Sequence, residues 1–483
     1  MFFLFLFPKL TQDKVDHFIH HIKTQKEKHN LPGTLFIGIV HNNKQEQYFI
    51  GKSFPDKEQT VIPIASLTKA ITAHLICILA HKGFLSLEDP LKKYFPDLKL
   101  PHDAPLTIKD ILAQRMGVKS FSGESLLLLG FSLDEIYQKT KYFQKNKRPK
   151  VDFSYQNFFF GLLERVIEKT TNKTINEVAK DYIFDPLDMK SAHYLMPKKW
   201  WQFWRKTPNF PPFYVYGPTQ TQLSADLYKA RASMGVVMSC ADMMKWLKYS
   251  MTQKDTLLPK EILNEVFGNL ASFEPKSYDT QFALKRLKGR INYGLGWYNM
   301  MYAGHKIYFH MASRVGIRAY IAFDPKEEFG LIIFHNYGGL EINMLPEAVR
   351  AKFLDIAYDC PEYDWIEEVA QSKKEYINSV RSSFESEKMF PTPAGPLDQF
   401  VGCYEHAMYG IAEITKKNDK LYMKFHGAIY PLTHHNGNKF IYGSKTLGAF
   451  DKWIYFGYNK KAQMTLQSSA MYEGESPLFV KIS

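Results

Sequence analysis

Within the first 360 positions, the placement of strand-forming residues limits the fold more than any other feature. Runs with strand character occur at Thr34 to Val40 and Gln45 to Gly51, joined by an Asn42-Asn43 turn. They return only at Tyr293 to Tyr298, Lys306 to His310, Arg318 to Phe323 and Gly330 to His335. Between them helical spacing dominates, most clearly at Lys69 to His81, Thr107 to Gln114, Phe158 to Lys169 and Ala241 to Tyr249. A helix with Val15, Phe18, Ile19 and Ile22 on one face precedes the first strands. Another, with Pro346 at its first position, follows the last. Strands so far apart must meet to bury their apolar faces. The reading is α+β: an antiparallel sheet built from both ends of the domain, terminal helices packed on it, and a helical subdomain inserted. A site is expected in the cleft between the two parts.

The character changes after Asp359. Tyr363 to Lys388 is charged and weakly helical, and Pro391 to Pro396 reads as a linker. From Leu397, alternating runs such as Leu421, Met423 and Phe425, with turn signals at Asn436-Gly437 and Asn459-Lys460, predict a small all-β barrel or sandwich. The expected division is an apolar tail at 1–10, a main domain at 11–360, a helical and Pro-rich connection at 361–396, and a β-domain at 397–483.

Composition excludes several classes. Apolar residues make up 45% and charged residues 23% of 483, which argues against extensive disorder, and no run reaches the ~18 apolar residues of a membrane span. The net charge of +13 is concentrated in Lys139 to Lys150 and Pro197 to Lys206, which hold six and four basic residues and no acid. A local basic surface is expected, not nucleic-acid binding. Cys77, Cys240, Cys360 and Cys403 lack the spacing of a zinc site or disulfide framework and read as free thiols. The run Met1 to Pro8 is apolar but too short for a signal-peptide core. It has no basic leader or small-residue cleavage site, and reads as a tail or a remnant of a signal that starts upstream.

Three short patterns can carry chemistry. Ser66 and Lys69 stand three apart at the start of an apolar helix, so the amine can reach the hydroxyl. A desolvated lysine can then act as base for a serine nucleophile. Taken alone, the pair reads more readily as a capping serine with an exposed lysine. Tyr155 and Asn157 precede a helix, where a tyrosine close to a lysine can shuttle a proton and an asparagine can orient an amide. His310, Ala312 and Ser313 lie between two strands, where an edge can offer a backbone N–H to an oxyanion. A lone histidine is by itself more often structural.

In this order and spacing, Ser-x-x-Lys, Tyr-x-Asn and His-x-(small) resemble the serine β-lactamase-related family, which includes class C β-lactamases, penicillin-binding-protein-like peptidases, D-aminopeptidases and family VIII esterases. Gly83 to Pro90, Ile111 to Gly117, Phe184 to Lys190 and Tyr293 to Trp297 also look like that family's phrases. The resemblance runs from about Leu10 to Asp359, and the tail resembles the small lipocalin-like domain often appended to these hydrolases. It implies a β-lactamase/transpeptidase-like fold and a serine hydrolase that needs no cofactor or metal. Ser66 would be acylated, Lys69 would activate it, and Tyr155 would protonate the leaving group. Asn157 and His310 would contact substrate, and the N–H groups of Ser66 and Ser313 would form an oxyanion hole. Ala312 departs from the family's usual glycine, and its methyl is expected to narrow the cleft.

The expected substrate is an ester or a D-amino-acid peptide, with feeble β-lactam turnover because His310 stands where β-lactamases keep a lysine. Arg314 would replace part of that cation. The rival reading is a catalytically weak relative that binds peptidoglycan fragments or a membrane. Trp200, Trp201 and Trp204 among basic residues suggest either an acyl-pocket lid, a membrane-interface contact, or ordinary packing. The resemblance also implies an exported or cell-envelope setting.

Overall fold

The computed structural model describes residues 10–41, 44–51, 60–145, 147–195, 210–214, 220–221, 226–252, 257–274, 289–314, 316–338, 344–372, 374–375, 378, 394–442, 452–468 and 478–483. The Met1 to Pro8 run, the Asn42-Asn43 turn, the first half of the Pro391 to Pro396 linker, and Trp200, Trp201 and Trp204 lie outside them.

Helix α1 (Gln12–Lys28) is capped by the Thr11 hydroxyl, which accepts from the Lys14 N–H, and buries Val15, Phe18, Ile19 and Ile22. The hairpin β1 (Leu35–His41) and β2 (Lys44–Ile50) follows. Helices α2 (Thr68–His81), α3 (Glu124–Leu128), α4 (Asn157–Thr171), α5 (Arg231–Met234) and α6 (Cys240–Thr252) belong to the inserted part. The chain then returns to the sheet as β3 (Ala271–Phe273), β4 (Ile291–Tyr293), β5 (Tyr298–Tyr302), β6 (His305–Arg314), β7 (Ile317–Asp324) and β8 (Phe329–His335). Helix α7 (Leu345–Ala357), with Pro346 in its first turn, ends this part.

The eight strands form one antiparallel sheet in the order β2-β1-β8-β7-β6-β5-β4-β3. The two ends meet directly, from Leu35 opposite His335 to His41 opposite Phe329. Every residue of β1 is buried, because α1 and α7 cover one face of the sheet and α6 the other. Such doubly covered strands read as continuous apolar runs, as Leu-Phe-Ile-Gly-Ile-Val does here. The expected single strand Tyr293 to Tyr298 is instead two strands, β4 and β5, joined by a turn closed by Gly294 N–H donating to the Trp297 carbonyl at 2.8 Å. Gly296 there has φ +77°, and a Cβ on it would lie 2.6 Å from Ala73 Cβ, so the run cannot stay extended against α2.

The C-terminal part is a closed eight-stranded antiparallel barrel, from Gly402–His406 to Leu478–Lys481. Its core includes Tyr404, Ile414, Leu421, Met423, Phe425, Phe440 and Phe456. Among the described residues no helix is long and apolar enough to cross a membrane.

Candidate functional site

The site begins where the strand Val61–Pro63 turns into α2. Ala65 takes φ +43°, a left-handed value unfavourable for a residue with a Cβ, and a short 3₁₀ turn, Ala65–Leu67, leads into the helix. Ser66 stands in that turn. Helix α2 is buried from Thr68 to Leu79, so Lys69 has nowhere to reach water. It is fully buried, and its amine falls well below the ordinary lysine range, mainly because burial disfavours the cation. The Arg314 charge acts the same way, while Glu124 opposes them.

Lys69 Nζ has three polar contacts: Asn157 Oδ1 at 2.6 Å, the Ser233 carbonyl at 3.1 Å and Ser66 Oγ at 3.3 Å. The first two can only accept. The asparagine's orientation follows from its Nδ2, which donates at 2.8 Å to Glu124 Oε2, an acceptor when ionised. A neutral amine has two N–H groups and one lone pair. When Lys69 is neutral, those two N–H groups can go to Asn157 and Ser233, which leaves the lone pair for the Ser66 hydroxyl at 3.3 Å.

Each partner is delivered by a separate element. Thr72 donates to the Ala232 carbonyl at 2.6 Å and Thr68 Oγ1 accepts from the Val236 N–H at 3.1 Å, tying α2 to α5 and its following strand and so fixing the Ser233 carbonyl. The Gln156 N–H donates to Gln114 Oε1 at 2.7 Å, holding the chain just before Asn157. The Phe121 N–H donates to the Tyr155 carbonyl at 2.7 Å, linking Tyr155 to the segment that brings in Glu124. The ring of Tyr155 lies under Lys69, with Nζ 4.8 Å from its centroid.

Strand β6 forms the opposite wall. Its partner β5 begins at Tyr298, opposite Phe309, so among the described residues no strand pairs with 310–314 on that edge, and they pack instead on the Ala65–Leu67 turn. Ser313 is exposed there.

Three of the residues expected at the substrate are buried in the structure. Asn157, expected to meet substrate, is buried with both ends of its amide engaged inside the protein, so it holds Lys69. His310, expected in the cleft, is buried with Nδ1 at 2.9 Å from the Met311 carbonyl and Nε2 at 3.3 Å from the Tyr293 hydroxyl. Burial is the main cause that pushes its pKa down to about 3, so it is neutral at ordinary pH. Ala312 is buried and belongs to the apolar cluster that also contains Ala65 and Leu67.

Glu124, Ser233 and Met234 were missed from sequence. Glu124 is buried and forms an ion pair with Arg314, whose Nε also lies 3.2 Å from Met234 Sδ. Arg314 is therefore not a spare cation for substrate. No local signal marks Glu124 in Ser122-Gly123-Glu124-Ser125. Its contacts with Asn157, 33 positions on, and Arg314, 190 positions on, give it meaning.

A family model described as Beta-lactamase matches residues 18–350, and one described as a domain of unknown function, DUF3471, matches residues 387–471. The chain is 22% identical over 388 residues to Protein flp of Staphylococcus aureus (strain MW2), an alignment covering 77% of this chain and 71% of that one. The octameric penicillin-binding protein homologue from Pyrococcus abyssi superposes with a TM-score of 0.59 at 19% identity, over 97% of this chain and 100% of the other. The D-amino acid amidase from Ochrobactrum anthropi SV3 does so with a TM-score of 0.56 at 18% identity, over 70% of this chain and 99% of the other.

Proposed function

Because the chain belongs to the Beta-lactamase family, whose members are hydrolases, we propose that it is a serine hydrolase working through an acyl-enzyme on an ester or a D-amino-acid-containing peptide. The contact set of Lys69 carries this reading: a fully buried amine held by Asn157 Oδ1 and the Ser233 carbonyl, with Nζ 3.3 Å from Ser66 Oγ, whose proton it can take when neutral.

In the first step Ser66 Oγ attacks the substrate carbonyl carbon while its proton passes to Lys69 Nζ. The carbonyl oxygen becomes an oxyanion that accepts from the Ser66 and Ser313 N–H groups. As the tetrahedral species collapses, the bond to the leaving alcohol or amine breaks, and Tyr155 supplies that group with a proton. Water then attacks the acyl carbon and passes a proton to the Tyr155 oxygen, and as the bond between that carbon and Oγ breaks, Lys69 returns its proton to Ser66. Likeness to a D-amino acid amidase supports an acyl donor with D stereochemistry, and the exposed edge at Ser313 suits an extended peptide laid beside β6.

A fluorophosphonate probe tests the proposal. Mass spectrometry should locate the adduct on the Ser66 peptide, and Ser66→Ala should abolish it. Lys69→Ala and Tyr155→Phe should each slow labelling strongly and non-additively, since they act in one proton-transfer unit. Adduct on another serine, or none on folded protein, would refute the proposal.

A further inference from the structure

At the far end of β6 from Arg314, His305 opens the strand just after the Ala303-Gly304 turn. Strand β7 ends beside it at Asp324, and the turn into β8 brings in Glu327. The donor atoms of His305, Asp324 and Glu327 all lie within 4.8 Å of one another. His305 Nδ1 is 3.6 Å from Glu327 Oε1 and 3.9 Å from Asp324 Oδ2. Both distances exceed the ~3.2 Å limit of a good N–H···O bond, so the imidazole does not hydrogen-bond to either carboxylate.

The three groups are nevertheless held in place. Tyr358 donates its hydroxyl to Asp324 Oδ2 at 2.7 Å, and the Lys326 and Glu327 N–H groups donate to Asp324 Oδ1 at 2.9 and 3.2 Å. The His305 ring stacks on Tyr358 with centroids 3.9 Å apart and planes 13° from parallel. The Glu327 side chain is only 6% exposed, and its Oε1 is buried without a hydrogen-bond partner. An ionised carboxylate oxygen buried in this way is costly unless something positive sits against it.

We propose that His305, Asp324 and Glu327 form a binding site for a divalent first-row cation of the zinc type, with water completing its coordination. One imidazole nitrogen and two carboxylates are a donor set such ions accept. At ligand distances of ~2.0–2.2 Å, donors around a tetrahedral ion stand ~3.4 Å apart, so the two His305 edges need to close by a few tenths of an ångström and the Asp324–Glu327 edge, within 4.8 Å, by up to ~1.4 Å. Tyr358 orients the aspartate as outer partners do at metal centres. The ion would clip the β5–β6 turn to the β7–β8 turn and would take no part in acyl transfer at Ser66.

The test is calorimetric titration of chelator-treated full-length protein with Zn²⁺ alone, followed by thermal unfolding. The expected result is one zinc ion per chain at this site, with affinity reduced at least ~10-fold in both His305→Ala and Glu327→Gln. Zinc should also raise the melting temperature of the native protein and leave that of Glu327→Gln unmoved. Glu327→Gln keeps the side chain's size and removes its buried charge, so it remains informative if His305→Ala folds poorly. No zinc binding, or equal affinity in native protein and Glu327→Gln, would overturn the proposal.

Discussion

Lys69 is governed by two charges of opposite effect, and their removal should move its titration in opposite directions. Arg314 lowers the amine's pKa and Glu124 raises it, with burial the larger influence. If activity requires neutral Lys69, the rate falls as pH drops through that pKa. Arg314→Met should therefore move the acid limb of kcat/KM to higher pH, and Glu124→Gln should move it to lower pH. Glu124→Gln should also cost about 3–5 kcal/mol of stability, because it leaves the Arg314 charge buried without its partner. A double variant should bring the limb back toward its native place. If neither limb moves while the rate falls, the pair is merely structural. The same two residues bear on substrate charge. His310 is neutral and Arg314 is already paired, so an anionic β-lactam finds no free cation among the described groups that line this wall. A chromogenic cephalosporin should thus be turned over at least ~10-fold less efficiently, in kcat/KM, than a p-nitrophenyl ester, about 1.4 kcal/mol in barrier. Equal or faster cephalosporin turnover would show that another group binds the carboxylate.

At the scale of elements, the glycine turn between β4 and β5 locates α2, and with it Lys69. A Cβ at Gly296 would meet Ala73 Cβ at 2.6 Å and the Lys69 carbonyl oxygen at 2.8 Å, in a backbone conformation of φ +77°. Gly296→Ala should cost about 2–4 kcal/mol by overpacking and strain together and should slow Ser66 labelling as α2 shifts. Gly304→Ala is the control, since φ is +89° there and nothing lies within 4 Å of the added atom. It should lose only about 1 kcal/mol and label normally. Equal losses in the two variants, read by urea unfolding, would show that conformation alone matters. This turn also marks where sequence reading stops. Val15, Phe18, Ile19 and Ile22, or the apolar run of α2, are legible because period and burial are local. Ser66 and Lys69 are legible for the same reason, as neighbours on one turn. The aromatic run Tyr293 to Tyr298 satisfies a strand's composition equally well whether or not it bends, and the bend is dictated by α2, more than 200 residues earlier. Glu124 and the inward aim of Asn157 are likewise set by partners distant in sequence, so no spacing announces them.

For the whole molecule, the question is whether the barrel is a passenger. Its hairpin tip, His426-Gly427, has positive φ at both positions, +44° and +78°, as a tight two-residue turn requires. That tip reaches the helical part, where the His426 ring stacks on Phe131 at 3.7 Å with planes 10° apart. Phe131 lies just past α3, which begins at Glu124, and the adjacent Gly130 carbonyl accepts from Lys229, just before α5 and Ser233. Barrel, α3 and α5 thus converge on one turn, and the latter two hold Glu124 and the Ser233 carbonyl against the Lys69 shell. The first 396 residues contain their own sheet and two apolar layers, and should fold without the barrel. What they should lose is restraint on that turn. A stacked aromatic pair contributes about 0.5–1.5 kcal/mol, so releasing it should change kcat/KM for an ester by up to ~10-fold. His426→Ala in the full chain should change it in the same direction as deletion of residues 397–483, by a smaller factor. Near-UV circular dichroism would report whether the shortened chain remains packed, and ester kinetics on both proteins would read the coupling. A shortened chain that is fully folded and kinetically identical to the intact protein would mean that the His426–Phe131 contact fastens the barrel without acting on the site.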